Sequence, residues 1–246
     1  MLRRIITILL FAIFFLILEL NQNTIWGWIA LLILTAAFFV LWETGVFKQH
    51  LILKIDSWIL FIGGFIAILF LTWPPMERVP AVSTKNPVRT GIVEVTGGKV
   101  QGVLNETGDV ELYTGIPYAA PPVGDLRWKE PQDPEPWDDV LLADHFGPMF
   151  EQPRNLPIYY SLYQIIGYHD YQWFNMKDNY RPAVSEDALY INVMKPAGTQ
   201  SGLPVYVYVH GGSLQTGQPW FQDYQGQRMA KEGVIYVNMH YRLGVF

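Results

Sequence analysis

The chain has 246 residues, 50% hydrophobic and 16% charged, with a formal net charge of −5. Those averages combine two unlike segments. Residues 1–75 hold only seven charged side chains and sum to +1, whereas the remainder sums to −6, which argues against a nucleic-acid-binding surface. The absence of cysteine excludes disulfides, thiolate metal sites and a cysteine nucleophile.

Three apolar runs come first, Ile5–Leu18, Ile25–Trp42 and Trp58–Trp73. At 1.5 Å per residue they cover about 21, 27 and 24 Å, so flanking residues must complete a hydrocarbon layer of roughly 30 Å. The pattern predicts a membrane anchor of three transmembrane helices over residues 1–75, with tryptophans at the run ends in the headgroup zone. A signal peptide is the alternative for the first run, but no small-x-small cleavage site follows it. Arg3, Arg4, Lys48 and Lys54 agree on one topology: cytoplasmic N-terminus, integral membrane segment, and everything after Trp73 extracytoplasmic, in the periplasm or at the cell surface. Glu19, Glu43, Lys54 and Asp56 could instead line a transport path, but they lie at span edges, where charge is cheap.

Trp73-Pro74-Pro75 must end the third helix, and residues 76–90, with Pro80 and Pro87, read as an extended linker. Val93–Val95, Lys99–Leu104 and Val110–Tyr113 then read as hairpin strands separated by Gly97-Gly98 and Thr107-Gly108-Asp109. Asn105-Glu106-Thr107 forms a glycosylation sequon. The proline-rich run Tyr113–Trp128 can be neither helix nor central strand, and is expected to be an ordered loop on the surface. Further on, Leu189–Val193, Pro204–Val209 and Val234–Met239 have the length of buried strands. Trp220–Glu232 reads as a short helix closed by Gly233.

The run Tyr113–Trp128, followed by Pro131-Gln132, Trp137, Phe146-Gly147-Pro148, Ser185–Val193, His210-Gly211-Gly212 and Tyr241-Arg242-Leu243-Gly244, resembles the type-B carboxylesterase family in the family's own order. The resemblance covers about Val93 to Phe246, with a poor stretch near residues 153–182. It implies an α/β fold: residues 91–246 as the N-terminal, incomplete part of the central sheet of an α/β-hydrolase domain. Ala188 stands where many members have a cysteine, so the family's N-terminal disulfide loop is absent. Arg127 and Glu186 resemble a structural salt bridge of the family; the alternative reading of Glu186-Asp187 is an acid/base pair.

Ester hydrolysis on this fold needs a serine, a histidine base, an orienting acid and backbone donors aimed at the oxyanion. His210-Gly211-Gly212-Ser213 follows a predicted strand, the context of the esterase oxyanion loop. By resemblance the donors are the N–H groups of Gly212 and Ser213, with Gly211 and His210 shaping the loop. The plain alternative is a glycine turn after a strand. No serine completes a Gly-x-Ser-x-Gly pattern, so the nucleophile and its acid and histidine partners are expected to lie outside this chain. His145, His169, His210 and His240 are poor candidates for the base.

The interval 153–182 is rich in rings (Tyr159, Tyr160, Tyr163, Tyr168, Tyr171, Trp173, Phe174 and Tyr180). They could line a substrate pocket, rest on the membrane interface, or pack an insertion. The resulting expectation is the N-terminal portion of a membrane-anchored carboxylic-ester hydrolase, inactive alone, with no cofactor and no metal. Its partners would be the lipid bilayer, a small-molecule carboxylic ester once completed, and a complementing C-terminal half, with no nucleic acid. The alternatives are a noncatalytic cholinesterase-like binding protein at the cell surface, or a membrane protein with a vestigial esterase segment. A sheet truncated after Val234–Met239 is expected to leave an open edge and uncovered apolar faces.

Overall fold

The apolar runs become three helices, α1 (Leu2–Leu20), α2 (Ile25–Glu43) and α3 (Leu51–Leu71). The computed structural model describes residues 2–46, 51–152, 156–165, 181–198 and 201–245. They divide into two compact units: residues 1–75 with 156–181, and residues 76–155 with 182–246.

In the first unit Phe14, Leu18, Leu31, Phe38, Phe61 and Phe65 form a buried apolar core, with the Phe14 and Phe65 rings stacked 3.8 Å apart. Polar contacts collect at the helix ends. Arg3 and Arg4 pair with Glu43, joining the start of α1 to the end of α2. At the opposite end the fully buried Asn23 donates from Nδ2 to Leu69 O (2.9 Å) and Thr72 Oγ1 (2.8 Å). These links require the three helices to alternate in direction. Two segments, Ile25–Glu43 and Lys54–Leu71, are long and apolar enough to cross a membrane. α1 has the same length as α2 but carries Arg3, Arg4 and Glu19. A fourth helix, α4 (Pro157–Ile165), packs against α1.

The second unit is built on a mixed sheet. Its strands are β2 (Arg89–Val95), β3 (Gly98–Leu104), β4 (Val110–Pro117), β7 (Tyr190–Pro196), β9 (Ile235–Met239) and β8 (Val205–Tyr208), in that spatial order, with β5 (Val140–Leu142) parallel to β3. Neighbours from β2 to β9 are antiparallel, and β8 runs parallel to β9. Among the described residues β9 is paired on both sides, by β7 and β8, and β8 is the outermost strand. Short strands β1 (Met76–Glu77) and β6 (Arg181–Pro182) make a separate two-stranded ladder.

Residues 76–90, expected as a linker, are extended but tied down. Phe146 N–H donates to Val79 O and Ala81 N–H to Asp144 O, both at 2.8 Å. Arg78 Nε donates to Phe146 O at 2.9 Å, and Arg89 already belongs to β2. Prolines keep this stretch out of a helix, and several of its backbone groups pair with other segments instead.

The helix expected at Trp220–Glu232 is shorter. A 3₁₀ turn at Gln222–Tyr224 precedes α5 (Gln227–Lys231). The Tyr224 carbonyl accepts Asn238 Nδ2 (2.6 Å) and Tyr236 OH (2.9 Å), so it is not available to continue a helical ladder. Gly233, at φ +88°, follows the helix end, its N–H donating to Ala230 O at 3.0 Å.

Candidate functional site

β8 delivers the chain to His210-Gly211-Gly212-Ser213, where the backbone reverses. Gly212, Ser213 and Leu214 have φ of +130°, +56° and +58°. The N–H groups of Gln215 and Thr216 both donate to Gly212 O, at 3.0 and 3.1 Å. A Cβ on Gly212 would lie 1.7 Å from Thr216 O, so only glycine fits the reversal. Ser213 and Leu214 hold a left-handed conformation that disfavours side chains, a form of strain concentrated at functional sites. Among the described residues no acceptor meets the N–H of Gly212 or Ser213. Both residues are exposed. Two adjacent backbone donors thus stand free at the end of a sheet strand.

The returning arm is clamped. Gln152, buried, accepts Gly217 N–H at Oε1 (2.8 Å) and donates from Nε2 to Gly217 O (3.1 Å) and Phe150 O (3.2 Å). A Cβ on Gly217 would be 2.4 Å from His210 Nδ1; the loop closes against that ring. His210 is buried, stacks on Tyr241 with centroids 4.5 Å apart, and its carbonyl accepts Tyr241 OH at 2.6 Å. Its Nδ1 lies 2.9 Å from Gly211 O. A carbonyl only accepts, so Nδ1 carries the proton. Burial pushes the His210 pKa down, leaving a neutral ring suited to shaping the loop. Gly244 N–H donates to Leu214 O at 2.7 Å, anchoring the loop to the segment after β9.

Behind the loop lies a buried amide pair. Asn192 Oδ1 accepts Gly115 N–H (2.9 Å), and Asn192 Nδ2 donates to Asn238 Oδ1 (2.9 Å). Asn238 Nδ2 donates in turn to Pro219 O (3.1 Å) and Tyr224 O. Both asparagines are fully buried. They tie β4, β7 and β9 to the segment that leaves the loop.

Residues 89–246 match the model of the carboxylesterase family. The chain belongs to that family. It is 39% identical over 156 residues to para-nitrobenzyl esterase of Bacillus subtilis (strain 168), covering 63% of this chain and 28% of the relative. It is 36% identical over 183 residues to the medium-chain fatty acyl-CoA hydrolase precursor of Anas platyrhynchos, covering 73% and 29%. A solved pnb esterase structure superposes with a TM-score of 0.51 at 38% identity, covering 62% of this chain and 28% of that one. The chain therefore spans less than a third of the length of these relatives. Its sheet is that of an α/β-hydrolase.

Within this carboxylesterase unit Arg127 and Glu186 form a bidentate pair, Nε to Oε2 at 2.8 Å and NH2 to Oε1 at 2.7 Å. The pair joins the proline-rich run to the residues before β7; the run was expected to be loop throughout, but Tyr113–Pro117 belong to β4, which lies between β3 and β7, and only the part after Pro117 is loop. The same loop is held by Tyr118 OH to His240 O (2.9 Å) and by Arg242 NH1 to Lys129 O (2.8 Å). Ala188 is fully buried in a cluster with Phe150, Leu189 and Leu243, so apolar packing surrounds the position where the resemblance implies a cysteine in many members. Asp187 accepts Tyr190 OH at 3.1 Å. His145 contacts its neighbour Asp144 at 2.7 Å, which also binds Arg89 at 2.7 Å. Burial favours the neutral Asp144 acid, but hydrogen bonds from His145 and Arg89 outweigh it and lower its pKa. Among the described residues no cluster of three metal-ligating side chains occurs. His169 and the rings at 168, 171, 173, 174 and 180 lie outside the described residues, as do the side chains at 160 and 163. Sequence reasoning missed Gln152 and the Asn192–Asn238 pair; each acts through a partner distant in sequence, and no local pattern marks it.

Proposed function

We propose that this chain supplies the oxyanion-loop portion of a membrane-anchored, extracytoplasmic carboxylic-ester hydrolase that works through a serine acyl-enzyme. The observation that carries the reading is the pair of unengaged N–H groups at Gly212 and Ser213, on a reversal held by Gln152 and His210. Backbone donors fixed before reaction stabilise the tetrahedral oxyanion without reorganising, and one such donor is worth about 2.7–4 kcal/mol. The Ser213 hydroxyl is not the nucleophile in this reading, because Gly211-Gly212-Ser213-Leu214-Gln215 lacks the second glycine of the elbow. Serine, acid and histidine come from outside these 246 residues, and the chain by itself turns over no ester. Arg127 and Glu186 position the proline-rich loop. The anchor is read as three crossings from a cytoplasmic N-terminus. In support, Arg3 and Arg4 meet Glu43 at one end of the bundle, and uncharged Asn23 and Thr72 meet at the other.

Two measurements test this. The purified 246-residue chain should give no serine-inhibitor-sensitive hydrolysis of a short-chain nitrophenyl ester; such turnover would place a complete catalytic set inside it. In the product of the whole gene, Gly212→Ala should lower kcat by about 10²–10³ with little change in KM. Unchanged kcat would remove the loop from the chemistry.

A further inference from the structure

We propose that α4 is an interfacial helix whose apolar face lies in the lipid headgroup and acyl boundary, at the end of the bundle marked by Asn21–Thr24. The proposal rests on the reading of α1–α3 as a membrane anchor and adds a fourth, non-spanning lipid contact to it.

The helix Pro157–Ile165 contains no charged residue. Its one fully buried described side chain, Ser161, accepts Gln22 Nε2 at 3.0 Å. Gln22 belongs to the turn between α1 and α2. In that turn Asn21 Nδ2 donates to Asn23 Oδ1 (2.6 Å), and Asn23 reaches Thr72 just past α3. Amides and hydroxyls thus gather where three helices end, which is where a bilayer passes from hydrocarbon to headgroups. Ser161 fixes α4 at that level.

Tyr159, Leu162 and Ile165 are 41%, 42% and 46% exposed. Spaced three apart, they sweep an arc of about 120°, the width of an apolar helix stripe that elsewhere would face a core. Nine residues make a helix about 14 Å long, too short to cross a bilayer but suited to lie along its surface. The bundle's own outer faces are equally apolar: Leu32 and Ile33 of α2 and Ile59 and Leu60 of α3 are all more than half exposed. Since α4 and these helices belong to one compact unit, a single lipid surface covers the stripe and the bundle. Tyrosine, amphipathic by its hydroxyl, is suited to that depth.

The cysteine-free sequence permits a direct test. Single-cysteine variants Leu162→Cys and Tyr159→Cys of the whole chain, spin-labelled and reconstituted in phosphatidylcholine vesicles, are compared by collision with oxygen and with a water-soluble nickel chelate. Leu32→Cys reports the anchor, and Thr107→Cys, in the other unit, reports water. Both α4 labels should sit about 5–10 Å below the phosphates, with Leu32→Cys deeper and Thr107→Cys aqueous. Chelate access at both α4 positions while Leu32→Cys stays in hydrocarbon would overturn the inference and leave the anchor standing. Shielding of both α4 labels from oxygen and chelate alike would overturn it in favour of contact with another protein surface, such as a second copy. An aqueous Leu32→Cys label would remove the anchor itself, and the inference with it.

Discussion

His210 and His240 show how position divides two identical side chains. His210 stacks on Tyr241 and spends its proton on a carbonyl inside the loop. His240, just after β9, is buried, and among the described residues its Nε2 meets no hydrogen-bond partner. Burial, reinforced by His210 and Arg78, pushes its pKa from 6.5 down to about 3. A histidine held neutral in the fold binds its proton more readily when unfolded. Stability should therefore be full above pH 6.5 and fall as pH drops through the unfolded value toward the folded one. From pH 7 to pH 5 the loss is about 2 kcal/mol for this one group. Thermal melts of the detergent-solubilised chain across that range should show the slope, and His240→Asn should flatten most of it, leaving the smaller part due to His210. An unchanged slope in the variant would assign the dependence elsewhere. At this scale the sequence was legible wherever the residue type itself carries the constraint. Gly212 is such a case, since its space is closed by Thr216 O. Asn105 is not: it reads as a sequon, yet its Nδ2 is engaged by Thr107 and Asp109 and its Oδ1 by the Asp109 and Val110 N–H groups. A side chain so engaged anchors the β3–β4 turn, which no motif announces.

Among elements, β3, β7, β8 and β9 were readable to within a few residues because apolar runs bounded by glycine and proline mark them, whereas β1, β5 and β6 were missed and β4 runs on to Pro117. The spatial order of the strands was not readable. Chain order does not reveal that β9 lies between β7 and β8, so that the earlier strand β8 is the outer one. Asn192 and Asn238 sit inside runs that read as apolar strands, and only the register, which sets them opposite each other, reveals that each satisfies its partner. The β8 edge has a physical consequence. Val205 and Val207 are 61% and 58% exposed, and among the described residues nothing pairs with the outer side of the strand. A valine- and tyrosine-rich edge of this kind templates pairing with another chain. Val207→Lys should reduce self-association of the purified chain in light scattering while leaving its melting temperature nearly unchanged, since the side chain is mostly in solvent. Equal self-association would mean that the edge is not the contact.

For the whole molecule, the proposed anchor turns on how many times the first unit would cross a bilayer. Composition makes α2 and α3 plain candidates and leaves α1 ambiguous, because Arg3, Arg4 and Glu19 bracket its apolar run. Packing bears on that ambiguity where composition does not. Phe14 and Leu18 of α1 are buried in the same core as Phe61 and Phe65 of α3, and Arg3 meets Glu43 at the far end of α2. Nineteen helical residues rise about 28 Å, close to the hydrocarbon thickness, so a helix packed along α2 with its arginines at that end should cross beside it. Three crossings put Leu2 and the exposed Ser83 on opposite sides, whereas two put them on the same side. Impermeant maleimide labelling of Leu2→Cys and Ser83→Cys in intact cells separates these arrangements. Ser83→Cys should react without permeabilisation, and Leu2→Cys only after it. Reaction of both in intact cells would reduce the anchor to two crossings. Loss of the Leu2→Cys residue from the mature chain would show α1 to be a cleaved leader.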